Sequence, residues 1–222
     1  MRRWLVPGVF LFLAAATGAH AWDAIVTAAG DPSLRHVLVG QYALLRTAVA
    51  LAFAIFTVQR AQPHRPARDP RAFVACAVAM LAIVIVASPS HGTPTGLLIA
   101  GDVVAVCGCV VILASVLVLG RCFGVLPEAR GLVRRGPYRV VRHPVYLGEI
   151  SALAGLTLAA PGPGNVVLLA VFTAAQMVRA GLEERALTDA FPEYSSYVET
   201  TRRLFPSLRR RPTAVATTEP AS

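Results

Sequence analysis

Apolar residues in this sequence run in blocks, not at amphipathic spacing, and each block has roughly the length of a bilayer crossing. A helix needs about 20 mostly apolar residues to span the hydrocarbon core. Such stretches occur at residues 4–22, 37–58, 72–88, 97–119, 145–160 and 166–179, the last two short and leaning on their flanks. Gly/Pro-rich punctuation at 88–96 and 161–164 marks tight hairpins between spans. Only 15% of the 222 residues are charged, against roughly a quarter in soluble domains. The predicted fold is all-α: a polytopic transmembrane helical bundle of about six spans.

The arginines orient that bundle. No lysine is present, so all 21 basic residues are Arg. Arg2 and Arg3 precede the first span, and Arg60, Arg65, Arg68 and Arg71 lie between spans two and three. Arg121, Arg130, Arg134, Arg135, Arg139 and Arg142 lie between four and five, and most of the rest follow span six; the alternate loops carry only Arg35. Basic loops stay on the cytoplasmic side, which predicts a multi-pass cell-membrane protein with both termini in the cytoplasm. The net charge of +9 then reads as topology plus attraction to anionic lipid. The basic loops show no nucleic-acid motif.

Other features carry less. The first 21 residues also have the shape of a signal peptide, although an uncleaved first span is the expectation. Cys107 and Cys109 are two apart on a helix and match no metal-ligand spacing, so no metal site is expected. Arg46 and Asp102 are charges within spans two and four, where an ion pair is expected. Residues 207–222 read as a disordered, surface-bound tail.

The informative region begins at Gly131-Leu132-Val133 and continues through Gly136-Pro137-Tyr138-Arg139-Val140-Val141-Arg142-His143-Pro144-Val145-Tyr146-Leu147-Gly148-Glu149. This polar, turn-rich loop feeds directly into a span. Pro144 suits the first helical position, where its missing N–H costs nothing, and His143 would be the cap. The free N–H groups and positive dipole end of that helix would face a cytoplasmic cavity. Tyr146 and Glu149 fall on one side of it. Further on, Gln176, Arg179 and Glu183 share a helical face as span six leaves the membrane. These charges emerge at the same membrane face as His143, so a joint site is expected.

Gly-Pro-Tyr-Arg-x-Val-Arg-His-Pro-x-Tyr-x-Gly, then Arg-x-x-x-Glu-Glu and Phe-Pro-x-Tyr-x-x-Tyr, resembles the isoprenylcysteine carboxyl methyltransferase family, whose general plan phospholipid N-methyltransferases share. The resemblance covers roughly the C-terminal third. It implies S-adenosylmethionine at the cytoplasmic membrane face, in a site formed by the loop before span five and the C-terminal helix. A membrane lipid or lipidated small molecule would enter sideways between helices. By position it implies that Leu132, Val133, Tyr138, His143, Pro144, Val145, Tyr146 and Glu183 contact the cofactor. Arg179 would be the catalytic residue holding the acceptor. The chain departs from the family at Arg130, where His is usual, and at Val145, where a small polar residue is common. The chain then divides into an N-terminal part of four spans (1–119), a methyltransferase-like region with two spans and the site (120–206), and the tail.

The implied chemistry is physically reasonable. Methyl transfer from a sulfonium is an in-line displacement, in which proximity and alignment supply most of the rate. A carboxylate acceptor needs no base and can be held bidentately by Arg, and Tyr138 and Tyr146 offer ring faces to a cation. Carboxyl O-methylation is the expected reaction, with phospholipid N-methylation as the alternative. A second alternative is an NADPH-dependent membrane enone or steroid reductase. Those enzymes share a His-Pro-x-Tyr-x-Gly-Glu signature but usually have Asn where this chain has Val145, and they lack the Arg-x-x-x-Glu-Glu segment.

Overall fold

The structure, a computed structural model, describes residues 2–64, 67, 69–86 and 93–205, with side chains from residue 7 onward except at 83 and 84. The hairpin expected at 88–96 and the 207–222 tail fall largely or wholly outside these residues. Seven α-helices are present among them: α1 (Arg2–Gly30), α2 (Leu34–Gln59), α3 (Pro70–Ile85), α4 (Thr95–Leu119), α5 (Pro144–Ala159), α6 (Pro163–Ala190) and α7 (Tyr194–Thr200). No strand occurs among the described residues. Four stretches are long and apolar enough to cross a membrane: Pro7–Gly30, Leu34–Gln59, Thr95–Cys122 and Pro163–Ala190. Pro70–Ala82 and Pro144–Ala159 are apolar but shorter.

Local sequence sets the helix boundaries. Ser33 caps α2 by accepting the His36 N–H, and Asp69 caps α3 by accepting the Arg71 N–H at 2.8 Å. Pro70, Pro144 and Pro163 each sit in the first turn, where a missing N–H is harmless. Gly120 ends α4 at φ +54°, a conformation that favours glycine. Two helices outrun the hydropathy blocks. α1 continues through Ala21 to Gly30, and α6 continues beyond Arg179 to Ala190, carrying its polar last third out of the apolar stretch.

α4 and α5 pack backbone to backbone. Gly101, Ala105 and Gly108 on α4 face Gly148, Ala152, Gly155 and Ala159 on α5. A Cβ on Gly108 would lie 2.6 Å from the Ala152 amide nitrogen and the Gly148 carbonyl oxygen, and one on Gly101 would lie 2.5 Å from the Gly155 oxygen. Small residues permit this approach, the usual basis of helix association in lipid. α1 and α2 pair as a hairpin, α3 lies against α6, and α2 against α4. Phe10, Phe53 and Phe123 pack ring on ring, at centroid separations of 5.3 and 4.8 Å. Large apolar side chains remain outside: Phe12 is 73% exposed, Leu117 64% and Val167 63%. An outer surface of this kind belongs against lipid.

The Arg-rich connections meet at one end of the bundle. The Ala61 N–H donates to the Arg121 carbonyl and the His64 N–H to the Ala129 carbonyl, both at 2.7 Å. Arg130 donates to the Ala61 carbonyl and to Glu128, whose other oxygen accepts the Ala67 N–H at 3.2 Å. Arg130 therefore locks two loops together. The expected Arg46–Asp102 ion pair does not form among the described residues. Arg46 lies instead over the Tyr42 ring, 5.6 Å from its centroid, because i and i+4 side chains share a helical face.

The seam yields a direct expectation. Gly155→Val would force β-carbons into the α4 backbone, which cannot give way, at a cost of about 1–3 kcal/mol. Its thermal transition in detergent should fall by several degrees. Gly164→Ala, with nothing within 4 Å of the new Cβ, should leave it unchanged. Equal transitions for both variants would contradict the seam.

Candidate functional site

The site assembles where the loop before α5 meets the last third of α6. A 3₁₀ turn at Gly136–Arg139, opened by Gly136 at φ +58°, delivers Tyr138 to a buried position. His143 is the N-cap of α5 and Pro144 its first helical residue, as the sequence indicated. The His143 side chain caps no backbone group. Its ring stacks on Tyr146 (5.3 Å, 11°), and its Nε2 lies 3.0 Å from Glu184 Oε1. Since the carboxylate can only accept, Nε2–H donates there, leaving Nδ1 3.9 Å from Glu183.

Glu184 is the hub of a clasp. It accepts from Arg142 Nε at 3.0 Å, from His143, and from Arg203 Nε at 3.1 Å. Arg142 also donates to the carbonyls of Val198 and Thr201, at 3.1 and 2.9 Å. The segment after α7 lies along the loop, with the Arg142 N–H donating to the Arg202 carbonyl at 2.8 Å and the His143 N–H to the Arg203 carbonyl at 3.1 Å. The hydrogen bond to Glu184 holds Arg203 above the ordinary arginine range. Tyr197 donates to the Tyr138 carbonyl at 2.5 Å. Burial pushes the Tyr197 phenol up to about 12, so it remains a donor at neutral pH.

Deeper in the bundle lies a second network. Tyr146 donates to Glu183 at 2.7 Å. Arg179, 6% exposed, donates to Gln176 Oε1 at 2.6 Å and to the Val125 carbonyl at 2.9 Å. It stands 3.6 Å from Glu149 and 4.7 Å from the Tyr146 ring centroid. Gln176 bridges onward to Glu149. Arg179 Nε, buried, has no hydrogen-bond partner.

Two cavities converge here. The larger, about 160 Å³, runs into the bundle between apolar walls that include Phe10, Phe53, Met80, Ile112 and Phe172. The smaller, about 40 Å³, lies under the loop and is lined by Leu132, Val133, Leu187, Tyr194 and Tyr197. Tyr138, Arg142 and Glu183 line both. Tyr194, 1% exposed, is among the residues lining the smaller cavity, and its hydroxyl is buried without a hydrogen-bond partner. Burial raises this phenol well above its ordinary range, so it stays protonated.

The residues singled out from sequence are thus brought together, but unequally. Leu132 and Val133 line the smaller cavity only, while His143, Val145, Tyr146 and Arg179 line the larger only. Pro144 is fully buried and lines neither, so its visible contribution is to start α5. Sequence reasoning did not single out Arg142, Glu184 or Arg203. Glu184 stands in the Arg-x-x-x-Glu-Glu segment, but its neighbour Glu183 carried the expectation. The partners that distinguish Glu184 come from 42 residues before it and 19 after.

The phospholipid methyltransferase family matches residues 95–194, from the start of α4 to the start of α7, and is related to the isoprenylcysteine carboxyl methyltransferases. The match supports a membrane methyltransferase of the phospholipid and isoprenylcysteine kind. The chain is also 33% identical, over 78 residues, to the cobalt-zinc-cadmium resistance protein CzcN of Cupriavidus metallidurans. That alignment covers 35% of this chain and 36% of CzcN, so the chain spans about a third of the length of the curated relative it matches.

The clasp can be tested apart from any activity. Losing a hydrogen bond to a charged group costs about 1.5–3 kcal/mol. In Glu184→Gln, hydrogen exchange at the Arg142 and His143 amides should therefore accelerate tenfold or more, with α4 amides unaffected. Unchanged exchange would remove Glu184 from its place as the hub.

Proposed function

We propose that this protein is a six-span membrane methyltransferase that uses S-adenosylmethionine to methylate a lipid-like acceptor, with its site on the cytoplasmic face. The observation carrying this reading is the meeting of two cavities at Tyr138, Arg142 and Glu183, one apolar and directed into the bundle, the other beneath the polar loop. On this reading α3 and α5 cross the membrane with the four longer helices, and residues 120–206 form the transfer region.

The residues of the smaller cavity fit the cofactor. Leu132, Val133 and Leu187 offer apolar walls for a base, Glu183 a carboxylate for amino or hydroxyl groups, and the orphaned Tyr194 hydroxyl an unused donor. When bound, the cofactor supplies a methyl group on a sulfonium. His143, locked by Glu184, and Tyr146, locked by Glu183, form an aromatic wall of the larger cavity, and Tyr138 lines both cavities. Apolar residues along the larger cavity exclude water from the transfer. The acceptor's reactive group would lie near Arg179, which lines that cavity and whose buried Nε has no hydrogen-bond partner. A carboxylate accepting from it would need no base, and carboxyl O-methylation is the reading we adopt. One observation favours N-methylation instead: Glu149 already balances the Arg179 charge, so the site does not offer a free cation.

Labelling with methyl-tritiated S-adenosylmethionine separates the two. Membranes containing the protein should yield lipid-extractable label that base releases, as an ester requires. Base-stable label would establish N-methylation, and no label would contradict the proposal. His143→Ala and Glu183→Gln should each weaken cofactor binding about tenfold or more while inserting normally. Arg179→Lys should keep cofactor binding and lose methyl transfer by an order of magnitude, since Lys lacks the planar fork. For orientation, in a background without the native cysteines, Cys at Gly162 should react with impermeant thiol reagents on intact cells, and Cys at Arg134 should not. Reversed labelling would overturn the cytoplasmic placement.

A further inference from the structure

The larger cavity has a second polar feature that methyl transfer does not use. Arg46 and Tyr42 line it from α2, far from the loop. Arg46 is the thirteenth of 26 residues in that helix, so about 20 Å of helix lies on either side of it at 1.5 Å per residue. On the six-span reading, a guanidinium there sits near the middle of its span. It also stands seven residues, or about 10 Å, deeper than Phe53, whose ring packs on Phe123 in the loop that bears Val125. No carboxylate lies within ion-pair distance of Arg46 among the described residues, Asp102 of α4 included. Among the described residues, its close partner is the Tyr42 ring.

A cation at mid-bilayer is costly and ordinarily paired, and the neighbouring cavity walls are apolar. We propose that Arg46 forms a second anchor at the inner end of the acceptor cavity, with Tyr42 beside it, binding an anionic oxygen group at the tail end of the acceptor. The proposal rests on the larger cavity being the acceptor's. It gives the substrate class a shape: an amphiphile with polar groups at both ends and an apolar middle. Charge-assisted bonds from a planar guanidinium suit a carboxylate best, and the Tyr42 hydroxyl is a second available donor.

The probes are dodecanedioic acid and dodecanoic acid, competing against a diazirine-bearing dodecanoic acid for photolabelling of the full chain in nanodiscs. Wild-type protein should be protected by the dicarboxylate at tenfold or more lower concentration than by the monocarboxylate. Arg46→Gln should bring the two within twofold of each other, and Arg46→Lys should restore part of the difference. Equal protection of the wild type, or a preference that survives in Arg46→Gln, would overturn the proposal. Binding of tritiated S-adenosylmethionine is measured on the same samples. Its absence beside an intact dicarboxylate preference would count against the methyltransferase reading and leave the anchor standing. A thermal transition in Arg46→Gln within a few degrees of wild type shows that any lost preference is not unfolding.

Discussion

Three carboxylates at the junction of α5 and α6 hold this end of the molecule together. Glu149 balances Arg179, Glu183 fixes Tyr146, and Glu184 gathers Arg142, His143 and Arg203. Breaking the buried Arg179–Glu149 pair from one side should cost about 3–5 kcal/mol, because the remaining charge loses its compensation. Each of these contacts crosses between segments distant in sequence. The loop, the first turn of α5, the outer third of α6 and the strap after α7 therefore keep their positions together or not at all. The α4–α5 seam supports this arrangement from below, since α5 must sit against α4 for its first turn to present His143 and Tyr146 to α6.

Helix existence was legible in the sequence because lipid imposes a simple demand: backbone groups must be satisfied within the segment, and side chains must be apolar. Helix ends were less so. α6 continues beyond Arg179 because its polar residues find partners on α5 and the strap, information that a hydropathy block does not contain. The arginine pattern predicted loops on a common face, and the described loops do join at one end of the bundle through Arg130 and Glu128.

The candidate site was partly legible. His143 and Pro144 declared themselves through helix-start chemistry, and Tyr146, Arg179 and Glu183 through helical spacing. The division into two cavities was not, because nothing in the sequence pattern says that Leu132 and Val133 line one cavity and His143 and Tyr146 the other. Arg46 was visible as an oddity, but its expected partner was wrong. The Tyr42 ring, one turn away on the same helix, lies beside its guanidinium, and Asp102 does not reach ion-pair distance among the described residues.

Charge, aromatic faces and apolar volume follow one another from the loop inward, an order that suits the proposed transfer from a polar donor to a lipid-like acceptor. The most direct test is equilibrium binding of S-adenosylmethionine and of NADPH to the full chain in nanodiscs, each as tritiated ligand. The account predicts saturable binding of S-adenosylmethionine, close to one per chain, and none of NADPH. Saturable NADPH binding without S-adenosylmethionine binding would contradict it.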